Sequence, residues 1–125
     1  MVNLWKYIKE RNPNIKIIAV EPKDFPILSE GKSGSHKIQS LGAGFIPMTM
    51  DINIYDEVIT VTTKQFYDAA REVAKSEGIF GGISSGAVLY AVKLIAKRKE
   101  FKGKNIVVLL PDGGSKYLST PLYNE

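Results

Sequence analysis

The stretch NIVVLL, Asn105–Leu110, is an unbroken apolar run from Ile106 onward, stopped by Pro111-Asp112-Gly113-Gly114. A run this short, rich in branched side chains and bounded by turn residues, reads as a strand. With no polar residue alternating through it, both faces are expected to be covered, as in a parallel sheet. A second run of the same kind, IKIIAV at Ile15–Val20, follows Asn12-Pro13-Asn14 and is stopped by Glu21-Pro22. A shorter strand is expected at EVITV, Glu57–Val61.

Helical spacing accounts for most of what lies between. Phe66, Ala69, Ala70, Val73 and Ala74 follow the i, i+3, i+4, i+7, i+8 pattern of a helix with one buried face. Thr62 or Thr63 is placed to cap its start, and Gly78 to end it. A second helix, carrying Val88, Ala91, Val92 and Ile95 on one face, runs to about Lys97, and one or two helical turns are expected over Leu4–Arg11. Strand, long loop, strand, helix, helix, strand is the order of an α/β layer fold with parallel strands. Between Pro22 and Tyr55 the chain is punctuated by Pro22, Pro26, Gly31, Gly34, Gly42, Gly44 and Pro47, and an irregular stretch of that length is usually functional or disordered.

The 125 residues suit a single domain with a core of its own. The net charge of +4 is mild, and its one cluster, Lys97, Arg98, Lys99 and Lys102, complements a helix C-terminus better than it makes a nucleic-acid patch. With no cysteine there is no disulfide, thiolate metal site or cysteine nucleophile, and the single histidine, His36, disfavours a zinc site. No run is long enough to span a bilayer, and the cytoplasm is the default compartment.

The chemistry concentrates in GGISSGAVL, Gly81–Leu89. Ser84 or Ser85 could cap the helix that follows, and a helix N-terminus also offers free N–H groups to a ligand. Gly82 and Gly86 would keep side chains clear of such a ligand. Gly82-Ile83-Ser84-Ser85-Gly86 fits the G-x-S-x-G elbow of hydrolases, but no histidine follows Ser84 to complete a triad. Gly31-Lys32-Ser33 imitates the end of a phosphate loop, yet Pro26 stands where the first glycine belongs. Gly42-Ala43-Gly44-Phe45 allows either a sharp turn or a close approach of backbone to ligand, and spacing alone does not choose between them.

Five stretches in order, NPNIKIIAVEP (Asn12–Pro22), HKIQSLGAGFIP (His36–Pro47), DEVITV (Asp56–Val61), GISSGA (Gly82–Ala87) and KYLST (Lys116–Thr120), resemble cysteine synthase, or O-acetylserine sulfhydrylase. That family belongs to the pyridoxal-phosphate enzymes of tryptophan-synthase-β-like architecture, fold type II. The resemblance spans nearly all of residues 1–125, read as one segment matching the C-terminal part of the enzyme. It implies that Ser84 hydrogen-bonds the pyridine nitrogen of pyridoxal 5'-phosphate, with Ser85 at the helix start and Gly82, Pro111 and Asp112 beside the cofactor. Gly42, Ala43 and Gly44 would line the substrate side. The implied reaction takes O-acetylserine and sulfide to cysteine and acetate through aminoacrylate.

The departures are as informative as the matches. No lysine stands in the family's S-x-K-D-R setting, and the asparagine loop and phosphate loop that precede these motifs in the family are not in this sequence. The resemblance therefore assigns no catalytic residue to this chain, no metal, and an incomplete site: a split or truncated enzyme, inactive alone, whose N-terminal half would come from elsewhere. Lys116 replaces a usual arginine and Ser40 a common glycine. Apolar strand surface left without neighbours predicts poor solubility or oligomerisation of the isolated chain. Homodimerisation and serine acetyltransferase binding are implied at the family level. The alternatives are a catalytically dead module binding the acetyltransferase tail, a gene remnant, or cystathionine β-synthase chemistry.

Overall fold

The computed structural model describes residues 2–24 and 55–124. In chain order these form helix α1 (Val2–Arg11), strand β1 (Ile18–Pro22), strand β2 (Glu57–Val61), helix α2 (Thr63–Glu77) and helix α3 (Ile83–Ala96). Short 3-10 turns follow at Lys99–Phe101 and Gly114–Tyr117. The two strands pair in parallel, Ile18 against Glu57 through Pro22 against Val61. Parallel pairing is as the apolar runs predict.

Strand β1 begins three residues later than its apolar run. Asn12-Pro13-Asn14 makes a turn that carries on through Ile15, whose N–H donates to the Asn12 carbonyl. Asp56 then fixes the entry to the sheet. Its carboxylate accepts from the Ile17 N–H (2.8 Å) and from Lys9 Nζ (2.6 Å), which joins α1 to the start of β2. The lysine hydrogen bond first, and the Ile17 amide second, hold the Asp56 carboxyl below the usual aspartate range. Pro22 ends β1, where a missing N–H removes little from the ladder, and Lys23 N–H resumes bonding to the Val61 carbonyl.

Helix α2 follows from local sequence. The Thr62 hydroxyl accepts from the Gln65 N–H (3.2 Å) and the Gln65 side chain accepts from the Thr62 N–H (2.8 Å), a reciprocal capping box. Gly78 closes the helix at φ 69°, a left-handed conformation that suits glycine. Thr62→Ala removes one half of that box and is expected to cost about 1 kcal/mol, read as a lower urea midpoint with unchanged slope.

The core lies where α2 and α3 meet over the sheet. Phe66 and Ala70 from α2 face Ile83, Ala87, Ala91 and Ile95 from α3, closed below by Ile59 and Val61. Gly86 permits this approach, because a Cβ there would run into the Phe66 backbone carbonyl and meet the Ala70 Cβ at 3.0 Å. At the far end of α3, Arg98 clasps both Glu57 carboxylate oxygens at 2.6 Å.

Residues 105–110 differ from expectation. They form no strand, and Val107 is 97% exposed and Leu109 52% exposed. The segment has the apolar content of a doubly covered strand, but the described sheet contains only β1 and β2, neither of which pairs with it.

Candidate functional site

The turn that opens α3 is where the described parts of the chain converge. Helix α3 starts at Ile83 with Gly82 as its cap residue, and Gly82 offers no side chain to the free N–H groups. A carboxylate from 28 residues downstream takes that role. Asp112 Oδ2 accepts from the Ser84 N–H at 3.1 Å, and Oδ1 from the Ser85 N–H at 2.9 Å. The Ser85 hydroxyl lies 2.6 Å from Oδ1 and 2.9 Å from the Asp112 carbonyl. Neither serine caps the helix as the sequence suggested. Both sit inside its first turn, and an anion at the positive end of the dipole does the capping.

Backbone pairing holds Asp112 in place. The Gly82 N–H donates to the Asp112 carbonyl (3.2 Å), Gly81 bridges Gly113, and the Gly114 N–H donates to the Phe80 carbonyl (2.9 Å). The approach needs glycine at position 82, since a Cβ there would collide with the Asp112 carboxylate and the Tyr117 ring. Tyr117, on the 3-10 turn after Asp112, is buried and hydrogen-bonds the same carboxylate through its hydroxyl. Burial pushes the Asp112 carboxyl up. The Ser85 hydroxyl, the Ser85 and Ser84 amides and the Tyr117 hydroxyl outweigh it and hold the group below the usual aspartate range. Tyr117 is raised, first by burial and then by its bond to that anion.

The C-terminal segment packs around the same corner. The Tyr123 hydroxyl donates to the Gly81 carbonyl at 2.6 Å, its ring stacks at a tilt on Phe80, and Leu122 is fully buried. Arg71 of α2 reaches across to the Leu122 carbonyl at 2.6 Å.

Of the residues singled out from sequence, Gly82, Ser84, Ser85 and Asp112 meet at this one corner, with Pro111 exposed next to it. Gly42, Ala43 and Gly44, together with His36, Ser40 and the Gly31-Lys32-Ser33 turn, lie outside the described residues. Tyr117 and Tyr123 were missed by sequence reasoning, because an aromatic in a polar C-terminal stretch carries no periodic signal. Among the described residues no group of histidine and acidic side chains could hold a metal. No helix among them is long and apolar enough to cross a membrane.

A parallel α/β sheet with a glycine-flanked serine pair at a helix start defines a class, and comparison with known proteins agrees with it. A profile described as pyridoxal-phosphate dependent enzyme matches residues 2–112, and the chain belongs to that family. Among individual proteins, it is 52% identical over 120 residues to the cysteine synthase of Staphylococcus aureus, covering 95% of this chain and 38% of the relative. The crystal structure of cysteine synthase from Entamoeba histolytica superposes with a TM-score of 0.92 at 42% identity, covering 96% of this chain and 36% of that one. An O-acetylserine dependent cystathionine beta-synthase from Helicobacter pylori gives 0.85 at 33% identity, covering 98% and 40%. The chain thus spans well under half the length of the relatives it matches.

The family's cofactor carries a pyridine ring whose nitrogen accepts a hydrogen bond. Ser84 is fully buried on a turn whose Ser84 and Ser85 N–H groups already have a partner in Asp112.

Proposed function

We propose that this chain supplies the cofactor-nitrogen side of a cysteine synthase site, for the conversion of O-acetylserine and sulfide to cysteine and acetate. The observation that carries the reading is the pinned first turn of α3, with Ser84 fully buried and its backbone fixed by Asp112. The 52% identity to the Staphylococcus aureus enzyme supports it.

When bound, pyridoxal phosphate supplies an electron sink for loss of the α-proton and acetate from the substrate and for addition of sulfide to the β-carbon. This chain's part is orientation. In this reading the Ser84 hydroxyl would donate a hydrogen bond to the ring nitrogen, and a neutral partner of this kind would not force the nitrogen to become protonated. Asp112 holds that hydroxyl's backbone still, and Gly82 keeps the corner free of side chain. Gly42, Ala43 and Gly44 would line the substrate side. The lysine that binds the cofactor covalently would come from the part of the family fold these residues do not match, so a complete site needs that part as well. A homodimer, engagement of serine acetyltransferase and a cytoplasmic location belong to the same reading.

The test is cysteine formation from O-acetylserine and sulfide, with this chain co-expressed with the unmatched part of the Staphylococcus aureus enzyme and pyridoxal phosphate. Ser84→Ala is expected to lower kcat roughly tenfold, the equivalent of about 1.4 kcal/mol, and to shift the visible absorption of the bound cofactor. A complex that binds the cofactor but forms no cysteine would sink the reading. Turnover with homocysteine in place of sulfide would favour cystathionine β-synthase chemistry, the second reading, which the Helicobacter pylori structure suggests.

A further inference from the structure

The peptide unit joining Gly81 to Gly82 is the softest point beside the pinned turn of α3. With no Cβ on either residue its plane can rotate more freely than that of any other pair, so its orientation has to come from its hydrogen bonds. At one end the Gly82 N–H donates to the Asp112 carbonyl at 3.2 Å, near the long limit of such a bond. At the other end the Gly81 carbonyl accepts from the Tyr123 hydroxyl at 2.6 Å, the firmer of the two. The same Asp112 carbonyl accepts from the Ser85 hydroxyl at 2.9 Å, and the Asp112 carboxylate accepts from the Ser84 and Ser85 N–H groups. A rotation of the Gly81–Gly82 peptide would therefore withdraw a donor from the residue that holds the turn carrying Ser84.

Tyr123 is itself held. Its ring packs at 4.7 Å between centroids on Phe80, the residue before this peptide, and its neighbour Leu122 is fully buried. Arg71 of α2 donates from Nε to the Leu122 carbonyl (2.6 Å) and from its terminal nitrogen to the Pro121 carbonyl (2.5 Å), tying the segment to the helix that packs on α3. Burial, and then the nearby Asp112 charge, raise the Tyr123 hydroxyl above the usual tyrosine value against the opposing effect of Arg71, so it stays a donor at neutral pH. We propose that Tyr123 is a positioning residue: its hydroxyl locks the Gly81–Gly82 peptide, and through Asp112 it sets where the first turn of α3 holds Ser84, with Arg71 fixing the segment that carries it. The role toward the cofactor rests on the reading of Ser84 given above, whereas the lock on the peptide is a property of the chain alone.

Tyr123→Phe keeps the ring against Phe80 and removes only the hydroxyl. Amide hydrogen exchange of the 125-residue chain is expected to speed about fivefold at Gly82, Ser84 and Ser85, the worth of one net hydrogen bond, while amides in the middle of α2 and α3 keep their rates. Arg71→Gln, which releases the segment from α2, should reproduce that pattern, and it decides the matter if the phenylalanine variant does not fold. Thr62→Ala, which lowers stability at the α2 capping box, should not single those three amides out. In the assembly with the unmatched part of the Staphylococcus aureus enzyme and pyridoxal phosphate, Tyr123→Phe should shift the absorption of the bound cofactor in the same direction as Ser84→Ala. It should also lower kcat about fivefold with KM unchanged, and add no further loss in the Ser84→Ala background, as two residues acting as one unit do. Unchanged exchange at Ser84 and Ser85, acceleration spread evenly over α3, or full additivity with Ser84→Ala overturns the proposal. An assembly that binds the cofactor but forms no cysteine with the unaltered chain removes the reading of the site and leaves the exchange rates to decide the lock.

Discussion

Gly86→Val is expected to abolish cooperative folding of this chain. Gly86 lies on α3 where the helix passes closest to α2, and its missing side chain is replaced by the Phe66 carbonyl and the Ala70 methyl. A new Cβ meets backbone rather than the end of a flexible side chain, so neither helix can yield locally. Moving the helices apart would open the layer holding Phe66, Ala70, Ala87 and Ala91, all within 1% of full burial. Overpacking a tight interior costs about 1–3 kcal/mol, and more where backbone is the obstacle. A small domain with 5–15 kcal/mol in total has little margin for that. Gly86→Ala makes the sharper test, because helix propensity alone would stabilise it by about 1 kcal/mol. A lowered urea midpoint for the alanine variant identifies the close approach, whereas a raised one would show that the helices stand further apart than described.

Glycine 86 also shows how far the sequence could be read. Its place in GGISSGA suggested room for a ligand ring, yet the space it leaves is taken by α2. Nothing in local spacing distinguishes a glycine that admits a cofactor from one that admits a neighbouring helix. Helix α2 was legible because each of its determinants is local: Thr62 and Gln65 at the start, an apolar stripe, and Gly78 at the end. The same holds for β2, whose bounds match its apolar run. Strand β1 was displaced by the turn at Asn12, which consumed Ile15 before the sheet began. The segment 105–110 was read as a covered strand from its composition alone. Composition reports the environment a strand needs, and the described residues do not supply that environment. Membership of the pyridoxal-phosphate family was legible because five motifs in fixed order constrain far more than any one of them. The cap on α3 was not legible, since it joins Asp112 to Ser84 and Ser85 across a separation that no helical or strand period spans.

Removing that cap is expected to have the second-largest effect. Asp112→Ala leaves three donors without their acceptor, the Ser84 and Ser85 amides and the Tyr117 hydroxyl, while the Ser85 hydroxyl keeps the backbone carbonyl of residue 112. Both serines and Tyr117 are buried, so water cannot fully replace the lost oxygens. A buried donor left unpaired costs about 1–3 kcal/mol, but relaxation and a water entering the vacated space offset part of the sum. A loss of roughly 3 kcal/mol is expected, with α3 fraying from its first turn. Asp112→Asn separates charge from shape, because an amide keeps one acceptor oxygen and presents an –NH2 to donors that need an acceptor. Its cost should fall between those of wild type and alanine.

The acid limb of stability tests the same carboxylate independently. Asp112 titrates below its unfolded value of about 3.9, so between the two pKa values the unfolded chain binds the extra proton and stability rises with pH. The contribution is complete above about pH 4 and lost as pH falls through the folded value. Asp56 and Glu57 are also lowered, by Lys9 and Arg98, but at more exposed sites where solvent screens the pairing. Urea midpoints measured from pH 7 to pH 2.5 should therefore show a gap between wild type and Asp112→Asn that is level above about pH 4 and narrows as the pH falls below it. A gap that stays constant down to pH 2.5 would mean that the hydrogen bonds hold without the charge, and that the dipole of α3 contributes nothing to the seat of Ser84.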